Sequence, residues 1–235
     1  MALATYKDLC IDAVDVPTLG RFWAGALALD LELHDDGEAR LSGPTDRDTV
    51  WLNAVPEPVT VKQRVHLDVF ARSVDDVLGL GASPEDLVSF PWKVLRDPEG
   101  GELCVFEREQ SAERRLMEIV VDCADPDPIT TWWADLLGAV RRDDEQGRFS
   151  WVQDIPGAPF EALVFVPVPE PKIVKNRIHL DLFVEHPDGA AALVAAGATV
   201  LRAQDDEIGW TVLADPIGNE FCAFTHGPAP TGELT

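Results

Sequence analysis

The sequence predicts an α+β fold made of two tandem copies of one unit, and three observations carry that reading. KQRVHLDVF at 62–70 returns as KNRIHLDLF at 175–183, identical at six of nine positions. WKVLRDPEGGELCVF at 92–106 returns as WTVLADPIGNEFCAF at 210–224, identical at nine of fifteen. One apolar helix face also recurs 110 residues on: Leu19, Phe22, Trp23, Ala26 and Leu27, then Ile129, Trp132, Trp133, Leu136 and Leu137. A period of roughly 115 residues is a duplicated domain, because solenoid units run about 20–50.

Each copy opens with a strand-like run, Lys7–Val14 and then Glu118–Asp125. The helices follow, with apolar residues at i, i+3, i+4, i+7 and i+8. Asp15 or Asp125 upstream, with Pro17 or Pro128 in the first turn, supplies helix-start chemistry. Two strands are expected after each helix, around 31–42 and 49–55, then around 147–153 and 161–167. Next come the HLD strand, a short helix closing in glycine (Val74–Gly81; Asp188–Gly197), and further strands leading to the terminal ELCVF or EFCAF. Asp-Pro-x-Gly at 97–100 and 215–218 marks the hairpin turn before that last strand. Each copy thus runs strand–helix–strand–strand–strand twice. The polar stretch 107–115 is expected to be a linker, and 226–235 a loose tail.

Composition narrows the class. The chain has 235 residues, 46% apolar and 26% charged, enough for two domains that each bury a core. There is no apolar run of bilayer length and no charged lead before an apolar stretch, so a cytoplasmic protein is expected. Four cysteines in that setting are read as free thiols. The net charge of −23 is shared evenly between the halves and repels phosphate backbones and anionic lipid. Neither nucleic acid nor membrane is expected as a partner; a small-molecule ligand is, and the oligomeric state stays open.

Strand alternation then sorts the side chains. Val65, Leu67 and Val69 form one face of the HLD strand, and His66, Asp68 and Phe70 the other. In the second copy Ile178, Leu180 and Leu182 oppose His179, Asp181 and Phe183. On the last strand Leu103 and Val105 oppose Glu102, Cys104 and Phe106, as Phe221 and Ala223 oppose Glu220, Cys222 and Phe224. On the first strand Leu9, Ile11 and Ala13 oppose Asp8, Cys10 and Asp12, as Ile119, Val121 and Cys123 oppose Glu118, Val120 and Asp122. A carboxylate-rich set with a histidine and a thiol therefore gathers on one face.

The order of strand, Asp, helix carrying FW or WW, HLDxF and W-x-V-x-x-DP-x-G-x-E-x-C-x-F resembles the glyoxalase-like branch of the vicinal oxygen chelate superfamily. That superfamily also holds bleomycin-resistance proteins and extradiol dioxygenases. The resemblance implies two tandem glyoxalase-like domains, 1–108 and 114–226, each of paired βαβββ modules whose curved mixed sheets enclose a cavity. It also implies metal positions at Asp8, His66 and Cys104 in the first half and Glu118, His179 and Cys222 in the second. A fourth falls near Asn53 or Val166. Cysteine stands where the family usually has a late-strand glutamate, and no histidine stands on the first strand. An Asp/Glu–His–Cys set suits a divalent metal such as zinc better than magnesium or manganese. Neither half offers the two histidines that a ferrous dioxygenase needs.

Two functions follow. One is a lyase or isomerase in a polar, acidic cavity, with His66, His179, Glu102 or Glu220 moving a proton. The other is a non-catalytic, bleomycin-resistance-like protein that binds a cationic, planar molecule. There Asp68, Asp181, Trp92, Trp210, Phe70 and Phe183 would contact the ligand. His66 and His179 are equally candidates for structural residues held by Asp68 or Asp181. Lys62, Arg64, Lys175 and Arg177 are either anion-binding rim residues or a solvated lead-in.

Overall fold

The computed structural model describes residues 2–109, 114–186 and 188–225. Residues 110–113 of the expected linker and all of the expected tail lie outside them. Four βαβββ modules follow one another. The first comprises β1 (Ala4–Ala13), α1 (Val16–Leu27), β2 (Asp30–Leu33), β3 (Ala39–Ser42) and β4 (Val50–Ala54). The second has β5 (Val65–Ala71), α2 (Val74–Leu78), β6 (Ser83–Asp86), β7 (Lys93–Arg96) and β8 (Glu102–Glu107). The third has β9 (Leu116–Cys123), α3 (Pro126–Leu137), β10 (Val140–Asp143), β11 (Ser150–Gln153) and β12 (Ala162–Pro167). The fourth has β13 (Ile178–Val184), α4 (Ala190–Ala195), β14 (Thr199–Arg202), β15 (Thr211–Ala214) and β16 (Glu220–Thr225).

The helices start where local chemistry directs. Asp15 accepts a hydrogen bond from the Thr18 amide, and Asp125 from that of Asp127. Both fill the donor shortage at a helix start. Leu19, Phe22, Trp23, Ala26 and Leu27 are all buried. Each large apolar side chain among them contributes about 1.5–3 kcal/mol by leaving water. In α3 the match is nearly complete: Trp132 is half-buried at the edge, its indole donating to the Ala196 carbonyl at 2.7 Å. The stretch 31–42 is two strands, not one, because His34–Glu38 forms a tight turn in which the Glu38 amide bonds Asp36. β10 was likewise absent from the sequence reading. Its VRRD carries no apolar alternation, and Gly147 closes the turn after it.

These modules build two eight-stranded mixed sheets, ordered β14-β15-β16-β13-β1-β4-β3-β2 and β10-β11-β12-β9-β5-β8-β7-β6. Each sheet joins one module from each repeat. The first module pairs with the fourth along β1 and β13, and the second with the third along β5 and β9, both antiparallel. The sequence had left open whether the repeats face each other; they share both sheets.

Alternation holds on every strand of the seams. Leu9 and Ile11, Leu67 and Val69, Ile119 and Val121, and Leu180 and Leu182 join one continuous core with the faces of α1 and α3. That core lies between the sheets, so the opposite faces carry the polar residues. Asp8, Asp181 and Cys222 on one face, and Asp68, Cys104 and Asp122 on the other, are nevertheless buried, so each polar face is a recess. The last-strand turns work as expected: Asp97 accepts from the Glu99 and Gly101 amides, and Asp215 from those of Ile217 and Asn219. Glu99, in the turn of the second sheet, also accepts from the Val14 and Asp15 amides and from Arg177, all in the first sheet's modules.

Because each seam needs both repeats, residues 1–109 alone leave β1 and β5 each with one edge unpaired, β1 bonded only to β4 and β5 only to β8. We expect this fragment to have no stable folded monomer, by sedimentation and circular dichroism; a monomeric, cooperatively melting fragment would contradict the shared-sheet arrangement.

Candidate functional site

Seam register decides which predicted site residues meet. Asp8 stands opposite Asp181 and Cys10 opposite His179, with Cys222 beside Asp181 on the next strand. In the other sheet Glu118 stands opposite Asp68, with Cys104 beside Asp68. The grouping expected from sequence is therefore exchanged. Asp8 joins His179 and Cys222 rather than His66 and Cys104, while Glu118 joins His66 and Cys104. The physical reason is the seam itself, which brings the first strand of one repeat against the HLD strand of the other. Asn53 and Val166 lie further along, beside Asp12 and Asp122, away from both groups.

Each seam also contains a β-bulge. Register jumps between Tyr6 and Asp8 on β1, and between Glu118 and Leu116 on β9. One extra residue is thereby added in each strand, Lys7 and Met117, at matching positions. The bulge lets Tyr6 and Leu116 stay in the core while Asp8 and Glu118 keep to the recess. Nothing in residue alternation marks it in advance.

The first recess is internally neutralised. The Lys7 ammonium bonds both Asp8 oxygens at 2.6 and 2.7 Å, lies 3.7 Å from Asp181, and sits 4.2 Å over the Phe224 ring. The Trp51 indole donates to Asp8 at 3.1 Å. Burial and the Asp8 charge push Asp181 up to about 7 against the pull of Lys7. Burial holds His179 down near 4, so its imidazole is neutral.

In the second recess both partners of the acid are replaced. Met117 takes the place of Lys7, and Val164, paired with Val120 as Trp51 is with Cys10, takes the place of Trp51. Among the described residues no side chain donates a hydrogen bond to Glu118. Burial, with Asp68 and Glu161 adding repulsion, pushes it up to about 7. Beside it Val120, Ala162 and Val164 make an apolar patch with Phe149 and Trp151 packed on it. His66 Nε2 lies 3.7 Å from Cys104 Sγ and 3.4 Å from Asp68 Oδ1, yet His66 Nδ1 and Asp68 Oδ1 are buried without a hydrogen-bond partner. Burial raises the Cys104 and Cys222 thiols, so both are protonated, and all four cysteines are free.

Other predicted residues turn out to be walls and struts. Phe90, Trp92 and Phe106 stack in sequence at 5.1 and 5.6 Å, and Trp210 on Phe224 at 5.3 Å. Arg108 covers Phe70 at 3.4 Å. Glu220 is held by Lys172 at 2.7 Å and the Asn176 amide at 3.1 Å, and Glu102 lies near Lys62 and Arg96. Lys62 pairs with Asp122 and Lys175 with Asp12, so these lysines fasten the lead-ins of β5 and β13 to their seams. A cavity of about 410 Å³, lined by Glu57, Arg64 and Arg177 among others, lies between those lead-ins, apart from the His–Asp–Cys groups.

Two groups have metal-ligand spacing, their donor atoms within 4.8 Å: His66, Asp68 and Cys104, and Cys10, His179 and Asp181. The first fits zinc, with one nitrogen, one oxygen and one sulfur donor. The second fits poorly, because the Lys7 ammonium already sits beside its carboxylate.

A family model described as glyoxalase-like domain matches residues 8–106 and 118–224. The chain belongs to the glyoxalase-like domain family. Glyoxalase I from Zea mays superposes with a TM-score of 0.62 at 12% identity, covering 94% of this chain and 92% of that one. A putative dioxygenase from Bacillus subtilis gives 0.66 at 12%, covering 97% and 87%. The cppA protein of Streptococcus pneumoniae gives 0.54 at 11%, covering 96% and 100%. At these identities the likeness is one of fold. No curated protein matches the sequence. No helix among the described residues is long and apolar enough to cross a membrane.

Removing one partner of a buried ion pair leaves the other charge stranded. Lys7→Met should therefore cost about 3 kcal/mol in denaturant unfolding, and adding Asp8→Leu to it should recover part of the loss. A neutral Lys7→Met would refute the buried pair.

Proposed function

We propose that this protein is a small-molecule enzyme of lyase or isomerase type that works in the recess of the second sheet, with Glu118 moving the proton. The observation that carries the reading is Glu118 itself: a carboxyl group raised to about 7, on a recess face, with no hydrogen-bonding partner among the described residues. A base poised near neutrality is ionised often enough to accept a proton and basic enough to be useful. Its counterpart Asp8 is tied to Lys7 and Trp51 and is not free to do this. His66, half-buried beside Asp68, stands one strand away as the second polar group that a substrate would meet. The apolar patch of Val120, Ala162 and Val164 excludes water on the other side.

His66, Asp68 and Cys104 would hold a zinc ion. Such an ion would polarise substrate oxygens next to the carbon that loses its proton. Binding would require the Cys104 thiol to ionise, which its buried setting opposes until a cation is present.

A second reading, sequestration of a planar molecule without turnover, is favoured by the Phe90, Trp92 and Phe106 stack. The two differ in one measurement. The enzyme reading expects exchange of an α-carbon proton with deuterated water in a screen of α-hydroxycarbonyl compounds. It also expects that exchange to fall about a hundredfold or more in Glu118→Gln. Stabilisation by planar compounds, with no exchange of any of them, would favour sequestration.

Two activity-independent tests bear on Glu118. Carbon-13 labelling should show its carboxyl titrating near 7; a midpoint near 4.5 would remove the base. Stability gives the second. A carboxyl group whose folded pKa is raised holds its proton more tightly in the native state. Stability is then full below about 4.5 and is lost as pH rises through about 7. Glu118→Gln should therefore raise stability at pH 8 by on the order of 1 kcal/mol, with no gain at pH 4.

A further inference from the structure

The duplication contains its own ligand analogue. In the first recess a primary ammonium, that of Lys7, lies between two seam carboxylates and the face of Phe224. The second recess repeats those surroundings: Glu118 for Asp8, Asp68 for Asp181, and Phe106 for Phe224, backed by Trp92 as Phe224 is by Trp210. Only the ammonium is missing, because the matching bulge residue is Met117. We infer that the second recess binds an organic ammonium ion, with the cationic head where Lys7 places its own in the first.

This inference concerns the same recess as the proposed function and names an occupant that competes with turnover: an ammonium there would tie Glu118 as Lys7 ties Asp8 and would take Asp68 from a zinc ion. Three observations support it independently of the internal copy. The Asp68 side chain is 8% exposed, and its Oδ1 has no hydrogen-bond partner; Asp181 Oδ1 is likewise without one in the first recess, where Lys7 approaches the other oxygen, Oδ2. Left that way, a buried carboxylate oxygen is costly, and a charged N–H donor is the strongest complement to it. Among the described residues no cation covers Phe106: Arg108 lies over Phe70, the counterpart of the Phe183 ring that Lys7 approaches at 5.9 Å, and near Glu161, and Lys62 is paired with Asp122. Phe106 is left as the ring that matches Phe224. Finally, where the first recess has Trp51 bonded to its acid, the second has Val164 within an apolar patch. A recess with two acids, an aromatic face and an apolar wall suits a cation carrying a hydrocarbon body. Net charge of −23 raises the local concentration of such a ligand and lowers that of an anion.

The test is calorimetric titration of the full chain at pH 8 with phenethylammonium chloride and, in parallel, with neutral 2-phenylethanol. Saturable binding of the ammonium is expected, with the alcohol at least tenfold weaker. Met117→Lys, which restores the arrangement of the first recess, should weaken ammonium binding at least tenfold with a melting temperature close to the parent. Should that variant fail to fold, Glu118→Gln is the second measurement and should also weaken binding at least tenfold. Equal affinity for the alcohol, or undiminished binding in both variants, overturns the inference. So does a site that takes zinc chloride but no ammonium. Absence of ammonium binding while Glu118 still titrates near 7 overturns the ligand class alone; a Glu118 midpoint near 4.5 overturns the proposed function instead.

Discussion

The antiparallel seams, β1 on β13 and β5 on β9, govern everything else in this molecule. Each is a ladder between repeats, and each sets a first-strand acid opposite the aspartate of an HLD strand in the other repeat, Asp8 opposite Asp181 and Glu118 opposite Asp68. Without the seams the histidines, thiols and acids would be scattered along two chains of strands. With them, four side chains from three neighbouring strands meet in one recess. The same ladders turn the apolar edges of all four strands inward, so a single core supports both polar faces. Fold and site thus share one cause.

Much of this was legible beforehand. Helix faces, capping aspartates, Asp-Pro-x-Gly turns and the two-sided strands follow from local periodicity, and Leu9, Leu67, Ile119 and Leu180 are buried where alternation puts them. The recess side of His66, Asp68, Cys104 and Glu118 was equally readable. What local patterns do not encode is which strands become neighbours. Asp8 was therefore assigned to His66 when the seam delivers it to His179. The bulges at Lys7 and Met117 escaped for a related reason: an inserted residue is defined only against a partner strand. Glu118 was named from its position, but its significance depends on Met117 and Val164 replacing Lys7 and Trp51, which only the paired sheets reveal. Short polar edge strands such as β10 were missed because VRRD has no buried face to give a period.

The two recesses show how one buried carboxylate can serve opposite ends. Asp8 has an ammonium at 2.6 Å and an indole at 3.1 Å, and that pairing contributes to holding β1 in place. Glu118, at the same point of the other seam, has neither and is pushed up to about 7, so both its forms are populated near physiological pH. Desolvation is similar in kind; the difference lies in the two neighbours. Two substitutions therefore separate an acid held by an ammonium and an indole from one that, among the described residues, receives no side-chain hydrogen bond.

The contacts of Glu99 carry a mechanical consequence. One carboxylate holds the Val14 and Asp15 amides and the Arg177 guanidinium, linking a turn of one sheet to two modules of the other. At the corresponding turn Ile217 has no such group to offer. That flank is held instead by the Trp133 indole donating to Asp215 and the Trp132 indole donating to the Ala196 carbonyl, so both flanks are bonded across the layers, one through a charged clamp and the other through two indoles.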